Sequence, residues 1–317
     1  MADAIRGAGF NLVITANNHL YDRGLDGLLR TLSVFRDRGL PVIGTRASAE
    51  EPGDVVVDLR GIRVGVAAYT FETTGGGSAM TINGTAIAAA ARPLVDSFNP
   101  YDQGALEEDL SAMSDRVRSL RERGAEIVLF QLHWGEEYTT RAGSYQKAMA
   151  RRLADAGVDV IVGHHPHMVQ EIEILASDVT GRETLVYYSI GNYMGNMLYD
   201  THNTRGYTED ALIAGILLDR GPDGAARVLS GGYLATFIAK DDLGVSGGPV
   251  RHRAIPLRRF LEAKRDEPGI PLTRLQASMD RIASVMVRNR LEGALPVSEW
   301  TWLPDGVGPG SLREASG

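Results

Sequence analysis

The sequence predicts an α/β protein with two layers of sheet and helices outside them, on three observations. Apolar runs of strand length alternate with amphipathic stretches of helix length from Asn11 to Ile190, the rhythm of parallel strands joined by helices. From Ala211 to Pro256 the runs turn β-rich with no helical period between them. Three of the apolar runs end in histidine-bearing loops, and open α/β sheets hold their ligands at the carboxyl ends of strands.

Asp3 to Gly9 reads as the tail of a helix, stopped by Gly7 and Gly9. A strand over residues 11–15 follows. Leu25 to Arg38 reads as an amphipathic helix with Leu25, Leu28, Leu29, Leu32 and Phe35 inward. Leu40 to Gly44 is a short strand, and Asp54–Leu59 with Ile62–Tyr69 reads as a hairpin turned at Arg60-Gly61. Gly75-Gly76-Gly77-Ser78 opens an irregular stretch to about Pro100, either a plain loop or a substrate-covering lid. Helices are expected over Gln103–Arg123, Ser144–Ala156 and Leu272–Arg290. Further strands are expected up to His133 and Gly163, and over Met168–Ile174, Glu183–Ile190, Ala211–Leu218, Arg227–Ile238 and Val250–Pro256. The tail from Gly306, rich in Gly and Pro, reads as disordered.

The 317 residues, 44% of them hydrophobic, suffice for a real core. A net charge of −7 argues against nucleic acid as a partner. The absence of Cys removes thiolate ligands, so any metal must sit on N and O donors, which suits Mn, Fe or Zn. The sequence shows neither a signal peptide nor an apolar run long enough to span a bilayer, so the chain as written reads as cytoplasmic, with its compartment and oligomeric state left open.

The chemistry concentrates in the three histidine loops. Gly163-His164-His165-Pro166-His167 follows the apolar run to Val162. Pro166 disfavours the helical region for His165, so the chain is expected to stay extended, with His165 and His167 facing one spot. Ala16-Asn17-Asn18-His19 and His133-Trp134-Gly135 end the other two strands. Imidazoles converging at strand ends make a metal or acid–base site the natural expectation.

These motifs, with Asp22, Gly24, Glu137-Tyr138 and Ser189-Ile190-Gly191-Asn192 in the same order, resemble the CapA family of capsule and poly-γ-glutamate synthesis proteins over about residues 3–220. That family is similar to a branch of the calcineurin-type metallophosphoesterases. The resemblance implies a four-layer α/β/β/α sandwich with metal held at the strand ends. It implies Asn18, His133, His165 and His167 as metal ligands and His19 as the catalytic residue near the substrate. Imidazole exchanges protons near neutral pH, so His19 suits a general acid toward a leaving oxygen. Asp22, Glu137, His164 and Asn192 are expected to support the ligands or lie near the substrate. Trp134 is expected in the core, and His202 and His252 on the surface.

The phosphoesterase pattern begins with two acidic ligands that have no counterpart here. The domain over residues 1–256 is therefore expected to be N-terminally incomplete, followed by a helical appendage and tail over 257–317. Asp22 and Glu72 are the carboxylates that could substitute. Without acidic ligands to offset two divalent cations at ~3.5–4 Å, one ion should bind well and a second weakly. Two functions stay open: a metal-dependent hydrolase of a phosphoester or related ester or amide, and a non-catalytic polyanion-binding component of capsule or poly-γ-glutamate synthesis or export. The substrate is a small molecule or a polyanion.

Overall fold

A computed structural model of the chain describes residues 1–73, 79–197, 199, 203–242, 250–264, 269–288, 295–300 and 313–314. The first helix, α1 (Ala2–Gly7), leads to β1 (Val13–Ile14), α2 (Gly24–Arg36) and β2 (Val42–Ile43), and β1 and β2 pair in parallel as a small sheet of their own. Leu28 and Leu32 of α2 are buried with Tyr21, Ile82 and Ile87, which seats the helix on the chain that follows β4.

The hairpin expected at Arg60-Gly61 joins β3 (Asp54–Leu59) to β4 (Ile62–Phe71), and both turn residues take positive φ, as a two-residue hairpin turn requires. Residues 75–78 of the expected irregular stretch lie outside the described residues. The remainder of that stretch is more ordered than expected. It contains β5 (Thr81–Ile82), β6 (Thr85–Ala86), a single 3-10 turn and β7 (Ser97–Phe98). Then come α3 (Gln103–Glu122), β8 (Ile127–His133), α4 (Ser144–Asp155), β9 (Val160–His164), β10 (Ile172–Ala176) and β11 (Glu183–Tyr187). The strand expected from Met168 begins only at Ile172, because the side chains of Gln170 and Glu171 are spent on a neighbouring loop.

These strands form one sheet in the order β10-β11-β9-β8-β4-β3, with β4, β8, β9 and β11 parallel and the two outer strands antiparallel. Arg313–Glu314 adds a short strand beside β3, a correction to the expectation for the tail; the rest of that tail lies outside the described residues. The second sheet is antiparallel, from β12 (Asp210–Arg220), β13 (Ala226–Asp242) and β14 (Val250–Pro256), and Val297–Glu299 joins β13 in parallel.

Alternation along β4 shows how the layers stack. Ala67, Tyr69 and Phe71 are buried with Leu110, Met113 and Val117 of α3 and Met149 and Leu153 of α4. Val64, Val66 and Ala68 point the other way and are buried with Leu212, Ala235 and Phe237 of the second sheet. That cluster extends to Leu257 of α5 (Leu257–Glu262) and to Leu275, Ile282 and Val285 of α6 (Leu272–Arg288). The result is a four-layer α/β/β/α sandwich, in which the stretch read as an appendage supplies an outer helical layer. Arg281 and Ser278 of α6 both bond the buried Asp210 at the start of β12, which fixes α6 to that sheet.

Candidate metal centre

Strand register sets the position of the site. Thr70 of β4, His133 of β8 and His164 of β9 lie on one rung, at the carboxyl ends of three adjacent parallel strands. Past that rung the chain does not stay extended, contrary to the reading from Pro166. His165 has φ 101° and His167 φ 59°, and Tyr138 on the facing loop has φ 63°. Such values are costly outside glycine and persist where the surroundings over-determine them. The surroundings here are close-fitting. The backbone N–H of Tyr138 donates to Pro166 O at 2.9 Å and that of Ile190 donates to Gly163 O at 3.2 Å. A Cβ on Gly163 would overlap Tyr188 O and the indole of Trp134, so the approach needs glycine. Trp134 is a core residue, as expected, and donates to Tyr188 O.

The turns bring the imidazoles together. The His165 ring centre lies 4.9 Å from that of His133, 6.1 Å from that of His167 and 4.6 Å from that of Phe71. His165 Nδ1 is buried and has no hydrogen-bond partner among the described residues. Burial, then the neighbouring His167 and His19, lowers the His165 pKa to about 4. Burial also holds His133 well below the ordinary imidazole value, with His165 adding to the effect. Both rings are therefore neutral at pH 7 and offer lone pairs.

The tautomer of His167 follows from Asn192. The Asn192 amide nitrogen donates to His167 O (3.3 Å) and Thr208 O (3.2 Å), which orients its Oδ1 toward His167 Nδ1 at 2.9 Å. Nδ1 then carries the proton, and the Nε2 lone pair faces Glu137, whose Oε1 lies 3.6 Å away. One donor atom from each of Glu137, His165 and His167 falls within 4.8 Å of the other two. Beside this trio, Asn18 Oδ1 and His133 Nε2 are 3.0 Å apart.

The loop that carries Glu137 is fastened to the histidine loop. Gln170, fully buried, donates to Thr139 O (3.2 Å), Thr139 Oγ1 (3.1 Å) and Arg141 O (3.0 Å), and accepts from Gln146 at 3.2 Å. Glu171 accepts from the Ala142 N–H at 3.0 Å and pairs with Lys147 at 3.1 Å. Sequence reasoning missed Gln146, Gln170 and Glu171. The one available signal was the polar Gln170-Glu171 pair interrupting the run from Met168 to Ile174, which also holds Glu173.

The other side of the site faces water. His19 is exposed, its Nδ1 2.8 Å from Asp22 Oδ2 and 3.5 Å from the amide nitrogen of Asn83 at the tip of the β5–β6 hairpin. The remaining expected residues lie apart from the trio in role. His164 Nε2 bonds Gln131 Oε1 at 2.7 Å, and Glu72 accepts from Ser97 Oγ at 2.8 Å while burial raises its pKa. His252 bonds Asn196, and His202 lies outside the described residues.

The residues present fit a divalent cation. The donor set is one carboxylate and imidazoles, one buried ring nitrogen lacks a partner among the described residues, and the His167 ring is held by Asn192. Nitrogen and oxygen donors of this kind suit Mn, Fe or Zn.

Four-layer packing with an imidazole–carboxylate cluster at the strand ends defines a class of α/β sandwich with a candidate metal site, and comparison with known proteins narrows it. Residues 1–197, which include every residue of the cluster, match the family described as bacterial capsule synthesis protein PGA_cap, and the chain belongs to that family. It is 30% identical over 192 residues to the capsule biosynthesis protein CapA of Bacillus anthracis, covering 60% of this chain and 41% of that protein. It is 28% identical over 192 residues to the PGA biosynthesis protein CapA of Bacillus subtilis, covering 60% of this chain and 44% of that one. The chain thus spans less than half the length of either relative. Among solved structures it is similar to the calcineurin-like phosphoesterase YfkN of Bacillus subtilis. That match covers 89% of this chain and 72% of the other, at 11% identity and a TM-score of 0.39, a distant likeness on which the site does not rest. No helix among the described residues is long and apolar enough to cross a membrane.

Proposed function

We propose that the chain is a metal-dependent hydrolase of a phosphoester, or of a related ester or amide, acting in capsule or poly-γ-glutamate synthesis. The observation that carries the proposal is the convergence of Glu137, His165 and His167, with His133 and Asn18 beside them. Glu137, His165 and His167 would hold one divalent ion, and His133 and Asn18 would complete its shell or take a second, weaker ion. A bound ion supplies Lewis acidity toward a phosphoryl or acyl oxygen and a more acidic water.

The protein groups do the rest. Asn192 keeps the proton of His167 on Nδ1, so its Nε2 stays a donor to the ion. Gln170 and Glu171 keep the Glu137 loop in place before any ion arrives. On the open side, Asp22 engages Nδ1 of His19 and leaves Nε2 as the nitrogen that passes a proton to the leaving oxygen. The relatives named for capsule and PGA biosynthesis support a setting in polyanion synthesis.

The test is turnover of bis(p-nitrophenyl) phosphate, and of a p-nitrophenyl ester, by Mn²⁺-loaded protein beside the His165→Ala variant. Turnover that needs both Mn²⁺ and His165 supports the proposal. Mn²⁺ binding through His165 without turnover of either substrate would replace the hydrolase with a non-catalytic polyanion-binding role. Failure to bind Mn²⁺, Fe²⁺ or Zn²⁺ would overturn both.

A further inference from the structure

We propose that Asn83, at the tip of the β5–β6 hairpin, is a substrate-recognition residue whose side-chain amide donates to an anionic oxygen next to the reacting group. The inference rests on the reading of the neighbouring cluster as a metal site and names a contact that the cluster itself does not supply.

The hairpin is built to hold its tip still. Asn83 (φ 51°) and Gly84 (φ 72°) are the two central residues of a tight turn that needs positive φ at both, and Asn and Gly are the residues that adopt it most readily. Ile82 is buried against Tyr21, Leu28 and Leu32, so one side of the hairpin is anchored in the core beneath α2. The other side is tied to the chain leaving β4: the Thr73 N–H donates to Thr81 O at 2.8 Å, and the Gly84 N–H donates to Thr73 Oγ1 at 2.8 Å. Thr73 lies two residues beyond Phe71, whose ring packs on His165. The fixed tip therefore sits beside His19 at the open side of the site, with the Asn83 side chain exposed.

The amide has a donor to spare. A ring nitrogen has one position in the imidazole plane, and Asp22 Oδ2 takes that of His19 Nδ1 at 2.8 Å. With Nδ1–H donating to the carboxylate, Nδ1 has no lone pair for the Asn83 amide nitrogen 3.5 Å away. Among the described residues, the Asn83 side chain has no other polar contact within hydrogen-bond distance. An NH₂ group in this position, 3.5 Å from Nδ1 of the ring that would pass the proton, suits an acceptor brought by the substrate. A phosphoryl oxygen or a carboxylate beside the scissile bond meets that requirement through a charge-assisted hydrogen bond.

The test uses the chain of residues 1–317 loaded with Mn²⁺ and inorganic phosphate as the probe, with phosphate affinity read by titration calorimetry. Asn83→Gly removes the amide and suits the turn, and Asn83→Asp keeps the shape but replaces the donor with a repelling carboxylate. Both variants should melt close to the parent and take up Mn²⁺ as the parent does. Phosphate should bind the Asn83→Gly variant about ten- to a hundredfold more weakly than the parent, and the Asn83→Asp variant more weakly still. Unchanged phosphate affinity in both variants, or no phosphate binding by a parent that holds Mn²⁺, would overturn the proposal. A parent that takes up no Mn²⁺ would instead defeat the metal-site reading on which it rests, so the two failures are told apart.

Discussion

The two sides of the site are held in place by different means. On the side of the large sheet, Glu137, His165 and His167 stand on loops that hydrogen-bond to each other through Pro166, Gln170 and Asn192, with backbone strain locked in by a glycine contact. On the side of the small sheet, His19 and Asp22 are largely exposed and follow a strand of two residues. The first side has the rigidity that a metal site needs to bind before anything else does. The second has the openness that a substrate side needs. If that division is right, damage to the first should appear as lost metal, and damage to the second as lost turnover with metal retained.

Removal of a ligand should have the largest effect. His165→Ala should weaken Mn²⁺ or Zn²⁺ binding by more than the ~10–100-fold typical of groups that merely support ligands, and turnover should go with it. Equilibrium dialysis with metal analysis measures this, and unchanged binding would move the metal away from the trio. Next comes His19→Ala, which should lower turnover by ~10²–10⁴ with metal content intact. Loss of metal in that variant would erase the distinction between the two sides. Third, Asn192→Leu removes the acceptor for His167 Nδ1–H and should cost ~10–100-fold in metal affinity, chiefly as faster release.

The smallest effect is on stability without metal. Burial lowers His164 and His165 from the ordinary 6.5 to about 4 and holds His133 well below 6.5. The unfolded chain takes up protons at these rings near pH 6.5, whereas the folded chain resists them until about pH 4. Protons thus favour the unfolded state across that window. The share of stability that these rings supply should be full above pH 6.5, fall between 6.5 and 4, and be gone below. Thermal melts of the metal-free protein should show the melting temperature falling by a few degrees over that range. A fall of the same size in the His164→Gln variant would mean that the His164 ring is as well solvated in the fold as outside it.

Much of this arrangement was legible in the sequence, for identifiable reasons. Strands such as Ile127–His133 declare themselves because a buried parallel strand is a near-continuous apolar run, and their ends declare the site because polar side chains return there. The parts that did not show are those whose cause lies far away in the chain. Pro166 argued for an extended His165, but hydrogen bonds from Tyr138 and Ile190 bend that stretch into left-handed conformations. Glu137 read as a supporting group, yet the structure sets its carboxylate within reach of His165 and His167, because Gln170 and Glu171 hold its loop from more than 25 residues away. Asn83-Gly84 is a hairpin-turn signal in the sequence, but nothing there placed it beside His19, which lies 64 residues earlier.

The shared rung of Thr70, His133 and His164 bears on how this chain can change length over time. Side chains alternate across a strand, so deleting or inserting one residue between Ile127 and Leu132 would turn His133 from one face of the sheet to the other. The same event in the α3–β8 connection, in α4 beyond its buried face, or in the turn joining β12 and β13 leaves the rung intact. Natural length variation among relatives should therefore collect in the helices and turns at the opposite end of the sheet. Within β4, β8 and β9 themselves, the chain should tolerate changes of residue but not of count.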